Sequence, residues 1–313
     1  MNSIKYISRK KCVISNTELE FLSKDTFPLF CGCVETDLKD DLICEQEWAI
    51  SKYGVIQLKN LIPLELLYKN GHNSGTIGEL WEEHHKKFDT IVHSHTFEHI
   101  YDPCKFLEEI SFILANGDKM IFSLPNMQKW LRNKFPNCFN FEHTILLSEC
   151  VLEFLLHKYK FKILDKKYFK EHSIFYCICK DESINNEKAT LKNQYEENKK
   201  LFLDMKEYYR EKIVELNKVL ENTTKKVYLF GAHLFSQYLV FKGLKTNKIV
   251  NILDNDLNKQ GKRLYGTSFM VECPKNLKHN DNCLVILNAG IYNDEIEKDI
   301  IRNINSNVEI IKC

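Results

Sequence analysis

The sequence predicts an α/β protein made of two α/β domains joined by a long helix, and three observations predict it. Residues 89–125 read as strand, helix, turn and strand, a β-α-β unit. Residues 181–226 are highly polar yet carry one apolar stripe at helical spacing. From Lys226 the strand-turn-helix pattern begins again in "KKVYLFGAHLFSQYLVFKG" and continues through two further apolar runs, the pattern of a doubly wound sheet. A chain of 313 residues that is 44% hydrophobic is long enough for two such cores.

Taken in order, residues 1–88 hold short extended segments and several cysteines, then "YGVIQLKNLIPLELLY", a strand or turn running into a short helix near Pro63. In "NGHNSGTIGELWEEHHKKF", Ser74 or Thr76 caps a helix that carries Glu79, Glu82 and Glu83 near its positive end. A strand over 90–93 follows, then a helix from about Asp102 to Leu114, a turn at Asn116-Gly117 and a second strand over 119–123 closed by Pro125. A helix over 148–158 leads into "FKILDKKYFKEHSIFYCICK", two strands expected to form an antiparallel edge. Leu191, Tyr195, Phe202, Met205, Tyr209, Ile213, Leu216 and Leu220 recur mostly three or four apart, which makes one long amphipathic helix. Packing against its own domains is the expected use of that stripe, with a dimer coiled coil as the alternative. In the last domain "KIVNILDND" is a strand reaching Asp254 and "NCLVILNAG" one ending near Asn288. The expected division is 1–60, 61–182, 183–225 and 226–313.

Charge and targeting narrow the function classes. With 44 basic against 43 acidic residues the net charge is +1, so no whole-molecule field attracts nucleic acid or a membrane surface. A small-molecule or protein partner is expected instead. The first residues lack the apolar run of a signal peptide, and no segment reaches the roughly 20 apolar residues of a membrane span, so a cytoplasmic protein is expected. The 12 cysteines are scattered, as reduced thiols are.

Three stretches carry a family resemblance: "HSHTFEHIYDPCKFL" with "FSLPN"; "NFEHTILLSECVLEFLL"; and "LFGA" followed by "DNDLNKQGKRLYGT". They resemble the S-adenosylmethionine (SAM)-dependent methyltransferases of bacterial surface-sugar synthesis. The match is to the sugar C-methyltransferase type, with a zinc-binding N-terminal module, a Rossmann-like methyltransferase domain and a C-terminal α/β domain. The resemblance implies a fold of truncated Rossmann-like methyltransferase domain, long connecting helix and second Rossmann-like α/β domain. It also implies SAM as cofactor and a nucleotide-linked sugar of capsule or deoxysugar biosynthesis as acceptor.

Methyl transfer needs donor and acceptor held in line and a base for the acceptor's proton. The resemblance places His143 as that base with Glu142 as its orienter, while the alternative for both is to cap the helix that follows. It places His95 and Glu98 at the mouth of the donor cleft. His172 and Ser173 match in part a His-Gly-Gly-Ser element on the substrate side. Gly231 allows a tight turn whose N–H groups can receive a phosphate, and Asp254 lies where a strand end can hold a ribose. A purely structural Rossmann-like domain is the alternative there. His93, His95, Glu98 and His99, with His84 and His85 upstream, also admit a metal cluster, because His93 and His95 share a face if the strand continues. No resident metal is expected.

Three departures stand out. None of the eleven glycines forms a G-x-G after an apolar strand, since "SGTIG" follows polar "KNGHN". Phe88 joins Asp89 directly where the family inserts the first three strands, so the strand over 90–93 is expected to be an exposed sheet edge. A partner chain or second copy is the expected way to cover it. In the N-terminal module Ser15, Ser51 and Tyr53 stand where the family supplies cysteines, so zinc is not expected; a rearranged set of Cys12, Cys31, Cys33 and Cys44 is the alternative.

Overall fold

The computed structural model describes residues 4–68, 89–280 and 282–313. The helix expected from Ser74 or Thr76 onward, with His84 and His85, lies outside the described residues. The chain forms two compact units. The first takes the chain up to Lys24, Gln46–Asn133 and Phe141–Leu203; the second takes Asp25–Glu45, Lys134–Asn140 and Asp204–Cys313.

In the first unit a four-stranded sheet runs in the order Phe161–Phe169, Ser173–Lys180, Lys119–Pro125, Thr90–Ser94. The last two strands are parallel and joined through the helix Pro103–Ile113, while the others are antiparallel. The helix starts where the sequence places it, because the Asp102 carboxylate accepts from the Lys105 backbone N at 2.9 Å and Pro103 occupies the first helical position. Alternation along the Lys119–Pro125 strand sends Met120, Phe122 and Leu124 inward. There they meet Leu107 and Ile110 of that helix and Leu152, Leu155 and Leu156 of the helix Glu149–Lys158. The other sheet face leaves Val92, Ile121 and Phe175 exposed. Among the described residues no strand pairs with the outer edge of Thr90–Ser94.

The second unit holds a five-stranded, all-parallel sheet in the order Val271–Glu272, Ile249–Leu253, Lys226–Phe230, Cys283–Leu287, Glu309–Lys312. This is a doubly wound order with the first strand of the domain at its centre. The unit also takes in residues 25–45, which the sequence groups with an N-terminal module. The reason is a pair of contacts distant in sequence: Arg263 makes a two-pronged ion pair with Asp41 (2.6 and 2.8 Å), and the short strand Arg263–Leu264 pairs with Cys33–Val34.

The polar stretch forms the helix Tyr195–Asn222, with Phe202, Met205, Tyr209, Ile213, Leu216 and Leu220 all buried. Leu191 lies ahead of it. The helix serves both cores: Phe202 faces Trp48 in the first unit, and Tyr209 packs edge-on to Tyr238 in the second. Among the described residues no helix is long and apolar enough to cross a membrane.

Candidate functional site

The chemistry-bearing residues of the first unit gather beyond the carboxyl ends of the parallel strands Thr90–Ser94 and Lys119–Pro125, where open α/β sheets hold ligands. The strand stops at Ser94 because His95 adopts φ +49°, in the left-handed region that non-glycine residues seldom occupy. Its backbone N is fixed to Ser123 O at 2.9 Å. A short 3-10 turn, Phe97–His99, follows. Phe97 is fully buried against Phe106 and Phe122, and that anchor turns the adjacent Glu98 into the protein.

His143 arrives from a distant segment that is tied to the same turn. Thr144 N donates to Glu98 O at 2.9 Å, and Thr144 Oγ1 donates to Ile100 O at 2.9 Å. The buried Arg9 guanidinium donates to Thr144 O at 2.8 Å, to Leu58 O at 3.3 Å and to Tyr101 O. Burial lowers the Arg9 pKa to about 10, with Tyr101, Cys12 and Asp102 opposing it, so the group remains a cation at neutral pH. Its carbonyl contacts hold the His143-Thr144 segment against the turn.

Within this frame the Glu98 side chain is only 1% exposed, and neither carboxylate oxygen has a hydrogen bond of good geometry to a described residue. The nearest nitrogens are His95 Nδ1 at 3.5 Å and His99 Nε2 at 3.9 Å from Oε1. Burial raises the Glu98 pKa, but the long 3.5 Å contact with His95, then the charge of His143, the residue's own backbone N–H and the charge of His99, outweigh it, and the carboxyl titrates below its ordinary value. His99 is held from its other side, with Nδ1 3.4 Å from Glu142 Oε2 and 3.2 Å from Tyr68 OH. Burial, followed by Glu142, raises the Tyr68 pKa, so the phenol stays protonated. His143 is 7% exposed, its ring edge-on to His99 at 5.1 Å and tilted 6.1 Å from Trp130. Glu98, His99 and His143 each offer a ligand atom within 4.8 Å of the other two.

A second layer adjoins this group. His95 Nε2 lies 3.1 Å from Ser173 Oγ, which also meets His172 Nδ1 at 2.6 Å. The His172 ring packs edge-on to Trp130 at 5.1 Å, and burial, then His95 and Lys170, lowers its pKa. The expected residues Glu142, His143, His95, Glu98, His172 and Ser173 thus share one neighbourhood, although Glu142 contacts His99. Gly231 and Asp254 belong to the second unit. Asp254 is 8% exposed and satisfied by its own chain: Oδ2 accepts from Ala232 N at 2.8 Å and pairs with Lys259 at 3.0 Å, while Oδ1 accepts from Asp256 N at 2.9 Å. Of the alternative zinc set, Cys12 is in the first unit and Cys31, Cys33 and Cys44 are in the second.

Sequence reasoning passed over Arg9, Tyr68 and Trp130. Their roles rest on contacts spanning up to 135 residues, for which no local spacing gives a signal. His93, a member of the metal cluster that the sequence admits, takes another place. Its half-buried ring stacks on Phe122 at 5.2 Å and packs edge-on to Phe106, against the apolar core.

Residues 47–166 match a family model described as a methyltransferase domain. No curated protein matches the chain. Among solved structures, the crystal structure of the PH0226 protein from Pyrococcus horikoshii OT3 is similar at 14% identity with a TM-score of 0.26, over 31% of this chain and 53% of that one. The chain therefore spans about half the length of that solved structure.

Proposed function

We propose that this protein is a shortened relative of the SAM-dependent methyltransferases of bacterial capsule and nucleotide-sugar biosynthesis, one whose described residues build the acceptor side of the site and do not build the donor side. The observation that carries the reading is the cluster of Glu98, His99, Glu142 and His143 beyond the ends of two parallel strands, inside the segment that matches a methyltransferase domain. Such a cluster suits an acceptor whose proton must be removed. His143 takes the proton in this reading, and Glu142 and Glu98 stabilise the charge that results. A nucleotide-linked sugar is the acceptor class that the three sequence stretches support.

A methyltransferase domain ordinarily uses SAM. Holding it takes a glycine turn after a strand and an acidic residue at the next strand end. Among the described residues the first unit has two glycines. Gly54 is closed against the Gln194 backbone, and Gly117 lies in the turn that enters the Lys119–Pro125 strand. Glu98, placed by resemblance at the donor mouth, is enclosed by histidines. These residues do not fit the donor, so no step is assigned to it.

A second reading has its own observation. The outer edge of Thr90–Ser94, unpaired among the described residues, favours an accessory protein that pairs with an intact methyltransferase, whose strands extend the sheet. The acceptor reading is tested by titrating a nucleoside-diphosphate deoxysugar into the protein. Saturable binding weakened at least tenfold in His143→Ala, with an unchanged circular dichroism spectrum, is the expected outcome. Equal affinity in the variant would remove His143 from the acceptor site.

A further inference from the structure

We propose that Glu98, His99 and His143 bind a divalent transition-metal ion. This goes beyond the acceptor reading and does not need a methyl donor. Three observations converge on it.

The first is the ligand set. Two imidazoles and one carboxylate, with ligand atoms within 4.8 Å of one another, form the trio that holds catalytic zinc with positions left open. Tetrahedral bonds of about 2.1 Å put ligand atoms roughly 3.4 Å apart, so the trio closes around an ion by small side-chain rotations.

The second is the state of Glu98. A carboxylate 1% exposed, with neither oxygen in a hydrogen bond of good geometry to a described residue, is costly to keep buried unless something meets its charge. Histidines at 3.5 and 3.9 Å answer that in part, and an ion on Oε1 answers it directly.

The third is the orientation of His99. Its Nδ1 faces the Glu142 carboxylate and the Tyr68 hydroxyl, while its Nε2 faces Glu98. A metal-bound histidine has this arrangement, with one ring N–H given to an outer carboxylate and the other nitrogen presented to the ion. His95 repeats the pattern, its Nε2 on Ser173 Oγ and its Nδ1 toward Glu98. Glu142 and Ser173 thereby acquire the role of outer-shell orienters. Occupancy also changes the proton chemistry, because a ring nitrogen of His143 that holds an ion cannot take a proton. An ion held there would instead lower the pKa of an acceptor hydroxyl bound to it, so that the hydroxyl proton would be lost to solvent and not to His143.

The test uses the full-length, reduced protein after chelator treatment and desalting. Titration with Co2+, followed by visible absorption, is expected to saturate at one equivalent with d–d bands and no intense thiolate band. Zn2+ is expected to displace the cobalt. Glu98→Gln and His143→Asn are expected to weaken Co2+ binding by about 100-fold or more, and Glu142→Gln by about 10-fold, within the range typical of outer-shell partners. Circular dichroism would confirm that each variant is folded. Absence of saturable binding would overturn the proposal. So would a thiolate-type spectrum, or affinity unchanged in folded Glu98→Gln. Repeating the nucleotide-sugar titration with chelator present separates the two: failure of Co2+ binding leaves the acceptor reading standing if the sugar still binds there, and failure of the acceptor reading leaves the metal site standing.

Discussion

His93 and His143 show how environment divides one residue type between two tasks. The His93 ring lies among Phe97, Phe106 and Phe122, and neither nitrogen is hydrogen-bonded by a described residue. Burial lowers its pKa from 6.5 to about 4, against a weaker opposing pull from Glu98. Because the folded-state pKa is the lower one, the unfolded chain takes up the proton first as pH falls. The fold is therefore destabilised between pH 6.5 and about 4, by up to roughly 1.4 kcal/mol per pH unit. His93→Phe is expected to flatten this acid limb when urea midpoints are compared at pH 5 and pH 7. An unaltered slope would show that His93 is not held neutral.

The sequence singled out these histidines without being able to divide them. Alternation along a strand puts His93 and His95 on one face, but the strand ends at Ser94, and the left-handed backbone of His95 breaks the alternation. The pair therefore separates, one against the core and the other toward Glu98. His143, fifty residues further on in the chain, takes the place that His93 held in the sequence-based cluster.

At the scale of elements, the helix starts and stripes were legible because they depend on neighbours in the chain, although the capping by Asp102 and Ser148 was not named. Asp102 and Ser148 each accept from a backbone N–H three residues on, and the helical stripe from Phe202 to Leu220 is buried throughout. What binds one element to another was not legible. Gly54 is an example: its φ is +86°, Asn198 Nδ2 donates to its carbonyl at 2.9 Å, and a Cβ on it would lie 2.5 Å from the Gln194 backbone. Gly117 has a similar φ of +93° but open space around it. Gly117→Ala is expected to cost about 1 kcal/mol, the backbone penalty alone. Gly54→Ala is expected to cost about 3 kcal/mol, because the chain entering the long helix must shift as well. Equal losses in urea unfolding would mean that the approach to Gln194 contributes nothing.

At the scale of the whole molecule, the Rossmann-like second domain and the β-α-β unit of the first were readable from apolar periodicity, and both are present as sheets. The division of the chain was less readable. Residues 25–45 join the second unit through the ion pair of Arg263 with Asp41, a contact 222 residues long in sequence that no composition shift announces. The first unit's sheet also carries a consequence for function. Val92 is 70% exposed, and among the described residues the outer edge of Thr90–Ser94 is unpaired, so this edge is where a further strand can add to the sheet.

The most direct measurement is titration calorimetry of the purified full-length protein with SAM, with an intact sugar methyltransferase as positive control. The account predicts no saturable heat up to about millimolar SAM. One-site binding at about micromolar Kd would contradict it, and would mean that the chain completes a donor pocket by itself.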